Sequence, residues 1–171
     1  MKLWHGSHLL FSQFNTHNLG HGAGGSDLGL GIYLAENRAG GEYYAHYAAI
    51  SRNTGYLYEV SMDADHYQVL DLTQRPSNLQ REMSSEDFNK LRAAYGDERF
   101  TQLLLRNGIR AIRNQQIFNP NLGYTVLCLQ PSLMRIENVW ACKRAPLSWE
   151  FVMGLSEVAP YEHSIAEGQA A

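Results

Sequence analysis

Trp4-His5-Gly6-Ser7 and Gly31-Ile32-Tyr33-Leu34-Ala35 are the two stretches of this sequence that say most about how it folds. The first stretch ends a short strand, and Ile32–Ala35 in the second forms another. The glycine-rich residues 20–31 between them predict a loop, because glycine carries a high entropic cost inside regular elements. Alternating side chains over Tyr56–Met62 predict another strand. The chain therefore begins with short strands interrupted by one long loop.

The elements further along the chain follow from capping and periodicity. Glu36 or Asn37 is placed to cap a helix, and Ser84 followed by Asp87 resembles a capping box. The remaining predictions are a helical turn at Leu9–Phe14, strands at Lys2–His5, Gln68–Leu72, Ile109–Arg113, Tyr124–Leu129 and Leu133–Val139, a helix at Glu98–Arg106 and a helix at Trp149–Leu155 capped by Ser148.

This order of elements predicts an α+β fold with short antiparallel strands. We expect one domain over residues 1–158, with a helical insertion at 76–107 and a flexible tail at 159–171. Insertions beside a site often set specificity, so the insertion is the expected place for target recognition.

Composition excludes several classes of protein. The chain has 171 residues, of which 44% are apolar and 18% charged, so it is not an intrinsically disordered sequence. Its net charge of −3 gives no cationic field for tight, sequence-independent binding of nucleic acid. No run of apolar residues is long enough to cross a membrane and the N-terminus lacks a signal-peptide pattern, so we expect a cytoplasmic protein without a membrane partner. Two cysteines, Cys128 and Cys142, cannot build a disulfide scaffold and are expected to be buried thiols.

The first 62 residues resemble the ADP-ribosyltransferase superfamily of the diphtheria-toxin and poly(ADP-ribose)-polymerase type. The resemblance rests on His5-Gly6-Ser7, on Gly31-Ile32-Tyr33 after the glycine-rich loop, and on Tyr44, eleven residues after Tyr33. It implies split antiparallel sheets flanked by short helices, with NAD⁺ as substrate in the cleft between the sheets. It also implies that His5, Gly6, Ser7, Gly31, Tyr33 and Tyr44 line the NAD⁺ site.

Elementary chemistry agrees with these residue types. Two tyrosine faces, Tyr33 and Tyr44, suit a flat cationic nicotinamide ring. The backbone of Gly6 suits the carboxamide because no Cβ blocks the approach. His5 can donate to a ribose hydroxyl, and Ser7 can add a second hydroxyl. Clamping ring and ribose would favour loss of nicotinamide through an oxocarbenium-like state.

The third motif of the family is where this sequence departs from the pattern. Strongly active members often carry a glutamate at the start of the late strand, whereas alignment on Pro131 puts Thr125 there, and shifted alignments give Tyr124 or Gly123. No Asp or Glu occurs between Arg99 and Ile136. Three explanations stay open. Thr125 marks a mono-transferase that borrows an acidic group from its target; Asn114, Gln115 or Gln116 holds the ribose; or catalysis is lost and NAD⁺ binding is kept.

The resemblance thus implies a mono-ADP-ribosyltransferase of bacterial or phage toxin or effector type. His5, Tyr33 and Thr125 are its predicted catalytic residues, and its acceptor is a macromolecule, a protein rather than a nucleic acid. The alternative is a catalytically weak or inactive module that binds NAD⁺, ADP-ribose or a protein. The histidines lack the spacing of metal ligands, so no metal is expected, and a metal-dependent hydrolase is the weakest hypothesis.

Overall fold

The computed structural model describes residues 1–15, 28–73, 81–115, 122–143 and 148–154. They form nine strands, three α-helices and two single-turn 3-10 helices, His66–Gln68 and Pro131–Leu133. The strands are β1 (Lys2–Ser7), β2 (Ile32–Ala35), β3 (Gly55–Met62), β4 (Val69–Asp71), β5 (Arg81–Glu82), β6 (Ala111–Gln115), β7 (Tyr124–Cys128), β8 (Met134–Lys143) and β9 (Ser148–Gly154), and the helices are α1 (Arg38–Arg52), α2 (Ser85–Tyr95) and α3 (Asp97–Arg106). The prediction of an α+β fold is confirmed at this level.

The strands form one hydrogen-bonded sheet in the order β5-β4-β6-β7-β2-β1-β3-β8-β9. We call β5-β4-β6-β7-β2 the β2 half and β1-β3-β8-β9 the β1 half. A single register pair, Trp4 with Ala35, joins the halves, whereas β1 and β3 share six pairs. The expected separate sheets are therefore linked into one. The expectation of antiparallel strands fails for β4, which runs parallel to both β5 and β6.

One face of each half is buried in a common hydrophobic cluster, which we call the inner core. The β1 half contributes Leu3, Tyr58 and Val60, and the β2 half contributes Leu34 and Val126, among others. The opposite face of the β2 half is covered by α2 and α3, where Phe88, Phe100 and Leu104 pack on Ile112 and Leu127. The opposite face of the β1 half is covered by α1, through Ala45 against Trp4 and Leu57. Alternation along each strand decides which core a side chain enters.

The helices begin where the capping signals predict. The Asn37 side chain accepts from the Gly40 N–H at 2.9 Å, and the Ser84 hydroxyl accepts from the Asp87 N–H at 3.0 Å. Asn53 ends α1 in the left-handed conformation at φ 64°, which asparagine tolerates better than most residues.

The C-terminal helix predicted at Trp149–Leu155 is wrong. Residues Ser148–Gly154 form β9, which pairs antiparallel with β8. The tertiary partner decides here, since a free edge of β8 satisfies the backbone of a segment whose local pattern fits a helix. The strand predicted at Leu133–Val139 is present as β8, which begins at Met134 and continues to Lys143. It was expected at an edge but lies inside the sheet between β3 and β9.

Two further expectations concern the chain's start and its insertion. Leu9–Phe14 is not helical but forms bends and irregular chain. The helices predicted within 76–107 are present as α2 and α3, although residues 74–80 lie outside the described part, as do 155–171 with the predicted tail. In the described part of the chain, no helix is both long and apolar enough to cross a membrane.

Candidate functional site

The candidate site lies where the two halves of the sheet meet. Strand β1 pairs with β3 along its whole length but with β2 only at Trp4 and Ala35. Beyond that pair, the segment His5-Gly6-Ser7 faces the segment Gly31-Ile32-Tyr33. Among the described residues, no ladder of backbone hydrogen bonds joins the two segments. The two motifs that carry the family resemblance are therefore brought to one junction by the fold.

His5 bridges this junction through its side chain. Its Nδ1 lies 2.8 Å from the carbonyl oxygen of Tyr33. A carbonyl only accepts, so Nδ1 carries the hydrogen, and in a neutral ring Nε2 is left as an acceptor. Burial lowers the pKa of His5, and the hydrogen bond to Tyr33 only partly opposes that effect. The hydrogen bond to the Tyr33 carbonyl therefore holds the His5 ring in one orientation, and a neutral ring in that orientation offers Nε2 as a hydrogen-bond acceptor.

Aromatic rings surround the imidazole of His5. The ring of Phe14 meets it edge-on at 5.3 Å between centroids, and the rings of Phe11 and Tyr58 lie at 6.1 and 6.0 Å. Phe11 is itself stacked on Tyr58 at 4.4 Å. These three rings, which we call the aromatic wall, supply the low-polarity surroundings that disfavour the charged imidazolium.

Tyr33 contributes its main chain to the junction and its side chain to another part of the fold. Its ring packs with the cluster beneath α2 and α3, and its hydroxyl accepts from the Leu28 N–H at 2.9 Å and donates to the Gly29 carbonyl at 3.3 Å. The described contacts of this ring thus hold the end of the glycine-rich loop against β2.

Gly6 is required by packing against α1. A Cβ at Gly6 would lie 2.6 Å from the Gly41 carbonyl oxygen and 2.7 Å from the Tyr44 carbonyl carbon, with the Ala45 nitrogen nearer still. The face of Gly6 that sequence reasoning left open for a carboxamide is therefore filled by the helix backbone. The contact does bring Tyr44 beside Gly6, and the Tyr44 ring meets that of Tyr43 at 5.3 Å.

Gly31 and Ser7 also have local partners. A Cβ at Gly31 would lie 2.6 Å from the Cys128 carbonyl oxygen, so this glycine allows β2 to approach β7. The hydroxyl of Ser7 accepts from the Leu9 N–H at 3.1 Å and so shapes the turn that leaves β1.

Thr125 is placed on the opposite side of the sheet from His5. It pairs with Ala35 and Asn114 and is 8% exposed. Because Val126 enters the inner core, alternation puts Thr125 on the other face of β7, whereas His5 contacts rings of the inner core. The structure does not bring these two predicted catalytic residues to one face.

The proposed substitutes for the missing carboxylate are placed as follows. The Asn114 side chain accepts from the Gln115 N–H at 2.9 Å, Gln115 is exposed, and Gln116 lies outside the described residues. Tyr124, which a shifted alignment puts at the position of the glutamate, lies on the same inner face of β7 as Val126.

The sequence analysis did not predict a charged cluster that lies at the start of β7. The guanidinium of Arg113 lies 2.5 Å from Glu36 and 3.2 Å from Asp71, and 3.9 Å from the ring centre of Tyr124. Asp71 is completely buried. Burial acts to lower the pKa of Arg113, but the hydrogen bond and charge of Glu36, with the charge of Asp71, raise it above its usual range. The signal in the sequence for a buried charge was Asp71, which directly follows the apolar residues Val69 and Leu70.

The lowered pKa of His5 makes stability depend on pH. Because the folded protein resists protonation of His5 while the unfolded chain binds a proton near pH 6.5, the free energy of unfolding should fall as pH drops below 6.5. We expect a slope of at most about 1.4 kcal/mol per pH unit. Denaturant unfolding from pH 7.5 to 5.5 measures it. His5→Gln should flatten the slope and His46→Gln should not; equal slopes in both would contradict a neutral His5.

Two observations complete the description of the site. Within residues 1–15, 28–73, 81–115, 122–143 and 148–154, no group of three or more His, Cys, Asp or Glu side chains is placed to hold a metal ion. Both cysteines are buried free thiols, as expected.

A comparison with protein-family models gives no match for this chain, and neither does a comparison with curated proteins.

Proposed function

We propose that this protein is an NAD⁺-dependent mono-ADP-ribosyltransferase, with His5 as the residue that holds the nicotinamide ribose. The observation that supports this most is the His5 imidazole held at the junction of β1 and β2 by the hydrogen bond between Nδ1 and the Tyr33 carbonyl, an orientation in which Nε2 of the neutral ring can accept a hydrogen bond. The motif His5-Gly6-Ser7 and the strand Ile32–Ala35 stand side by side there, as the resemblance to the ADP-ribosyltransferase superfamily requires.

The neutral imidazole suits the chemistry of this reaction. The bond between ribose C1′ and the nicotinamide nitrogen breaks, and its electron pair leaves with nicotinamide. The acceptor's nucleophilic atom bonds to C1′ and gives up its proton. Positive charge develops on the ribose, so a neutral Nε2 that accepts from a ribose hydroxyl orients the sugar without adding an opposing positive charge. A protonated His5 would repel the same transition state.

Tyr44 is proposed to stack on the nicotinamide ring. What supports this is that the Tyr44 main chain packs beside Gly6 of the first motif and that the residue is partly buried. The acceptor is proposed to be a protein. A toxin or effector of this type would modify one side chain of that acceptor. The lack of a carboxylate at the third motif favours transfer of a single ADP-ribose unit over chain growth.

A second candidate function is a module that binds NAD⁺ or ADP-ribose without cleaving it. The positions of Tyr33 and Thr125 favour it, since the first uses its ring in packing and the second lies on the outer face of β7. Release of nicotinamide separates the two candidates.

The test is nicotinamide release from NAD⁺ by the purified protein, alone and with cell lysate. We expect His5→Gln and Tyr44→Leu to lower the rate at least tenfold, about 1.4 kcal/mol of transition-state stabilisation. The matched controls on α1, His46→Gln and Tyr47→Leu, should retain the rate. No release by any form, with NAD⁺ still raising the melting temperature, would favour the binding module. No release and no thermal shift would reject both.

A further inference from the structure

Tyr58 makes a set of contacts that neither the resemblance nor the proposed function uses. It lies on β3, its side chain is fully buried, and its hydroxyl accepts from the Phe11 N–H at 2.9 Å and donates to the Leu9 carbonyl at 2.7 Å. One hydroxyl therefore satisfies two main-chain groups of the irregular segment Leu9–Phe14. Phe11 also stacks on the Tyr58 ring with an interplanar angle of 9°.

This anchor supplies backbone hydrogen bonds to a segment whose side chains Leu10, Phe11 and Phe14 pack in the inner core. Leu9–Phe14 has no helix or strand of its own, so its backbone groups depend on such partners. The segment places the Phe14 ring edge-on to the His5 imidazole, with 5.3 Å between centroids. It also places the Phe11 ring 6.1 Å from that imidazole. Tyr58 completes the enclosure with its own ring at 6.0 Å from His5.

We infer that Tyr58 is a positioning residue for His5: its hydroxyl pins Leu9 and Phe11, and the pinned segment holds the aromatic wall against the imidazole. In this arrangement His5 is fixed on two sides, by the Tyr33 carbonyl at Nδ1 and by the three rings around its plane. The inference rests on the proposed function only where it predicts an effect on NAD⁺ chemistry. The placement of His5 itself does not depend on that function.

The charge of the wall is constant over the range in which His5 titrates. Phe11 and Phe14 carry no ionisable group, and burial raises the pKa of Tyr58, so its hydroxyl keeps the proton that it donates to Leu9. A change in the behaviour of His5 on altering Tyr58 therefore reports a loss of position and enclosure, not the loss of a neighbouring charge.

The test compares Tyr58→Phe with Tyr56→Phe, which removes a hydroxyl from the same strand but none of the bonds to Leu9 and Phe11. Nitrogen NMR of the His5 imidazole gives its tautomer and its pKa, and hydrogen exchange gives the protection of the Phe11 amide. In Tyr58→Phe we expect at least tenfold faster exchange at Phe11, averaging of the two tautomers, and a His5 pKa that moves up toward 6.5. Tyr56→Phe should match the parent protein.

A folded Tyr58→Phe protein with an unprotected Phe11 amide but an unchanged His5 tautomer and pKa would overturn the inference. If Tyr58→Phe does not fold, Phe14→Leu serves instead. It keeps both hydrogen bonds of Tyr58 and removes the ring edge from His5, and an unchanged His5 pKa there would likewise overturn it.

Kinetics then connects the inference to the proposed function. We expect Tyr58→Phe to lower kcat for nicotinamide release about tenfold with a smaller change in KM, because misplacing His5 weakens the oriented reacting state. Absence of release by the parent protein rejects the proposed function but leaves the NMR result to decide the role of Tyr58. Release that Tyr58→Phe leaves unchanged, with His5 displaced, would reject His5 as the ribose-binding group.

Discussion

Replacing Gly6 by alanine should lower the free energy of unfolding by at least about 3 kcal/mol, the upper end of what overpacking a core costs. The added methyl would sit within 2.7 Å of the Gly41 and Tyr44 main chain and nearer still to Ala45. These are backbone atoms of α1, so no side chain can rotate away and the whole helix has to move off β1. Urea unfolding followed by circular dichroism measures the change.

Ser7→Ala, one residue further along the same strand, is the control for this substitution. It deletes one exposed hydrogen bond to the Leu9 N–H and should change the stability by no more than about 1 kcal/mol. A Gly6→Ala protein as stable as the parent, with NAD⁺ binding lost, would mean that Gly6 is required by the ligand and not by α1.

Replacing Arg113 by methionine should cost about 3–5 kcal/mol, the usual penalty for removing one partner of a buried ion pair. Asp71 is fully buried and Glu36 is partly exposed, so the loss of the guanidinium leaves one carboxylate in the interior without its cation. The stacking of Arg113 on Tyr124 at 3.9 Å is lost at the same time. Thermal and denaturant unfolding give the size of the effect.

The control for Arg113 is Lys90→Met, which breaks the exposed pair of Lys90 with Glu86 on α2 and should cost less than about 0.5 kcal/mol. The double variant Asp71→Asn with Arg113→Met should lose less than the sum of the two single variants, because each residue's cost includes stranding the other. Strict additivity would contradict a coupled cluster.

Local signals predicted the elements that depend only on neighbouring residues. Strand β2 has the predicted limits, Ile32–Ala35, because a short apolar run stands between a glycine and a polar cap. Helix α2 begins after Ser84 because its hydroxyl and Asp87 satisfy the first turn without help from the rest of the chain. Such bonds join residues three positions apart, which a pattern in the sequence records directly.

Predictions failed where a distant partner decides. Ser148–Gly154 became a strand because β8 offers an edge. Leu9–Phe14 became irregular chain, and the Tyr58 hydroxyl bonds the Leu9 carbonyl and the Phe11 N–H within it. The buried pair of Arg113 with Asp71 joins residues 42 positions apart on parallel strands, and no local spacing reports it.

The same distinction between local signals and distant partners applies to the candidate site. The sequence alone shows which residue types stand in the motifs His5-Gly6-Ser7 and Gly31-Ile32-Tyr33 and that the late strand lacks a carboxylate. What those residues do in the fold depends on contacts that form only in the folded chain. The tertiary structure gives His5 a hydrogen-bonded, aromatic enclosure, presses Gly6 against α1 and sends the Tyr33 ring into packing beneath α2 and α3. The physical reason is that the identity of a side chain fixes its chemistry, whereas its partners and its protonation depend on burial and on contacts between distant strands.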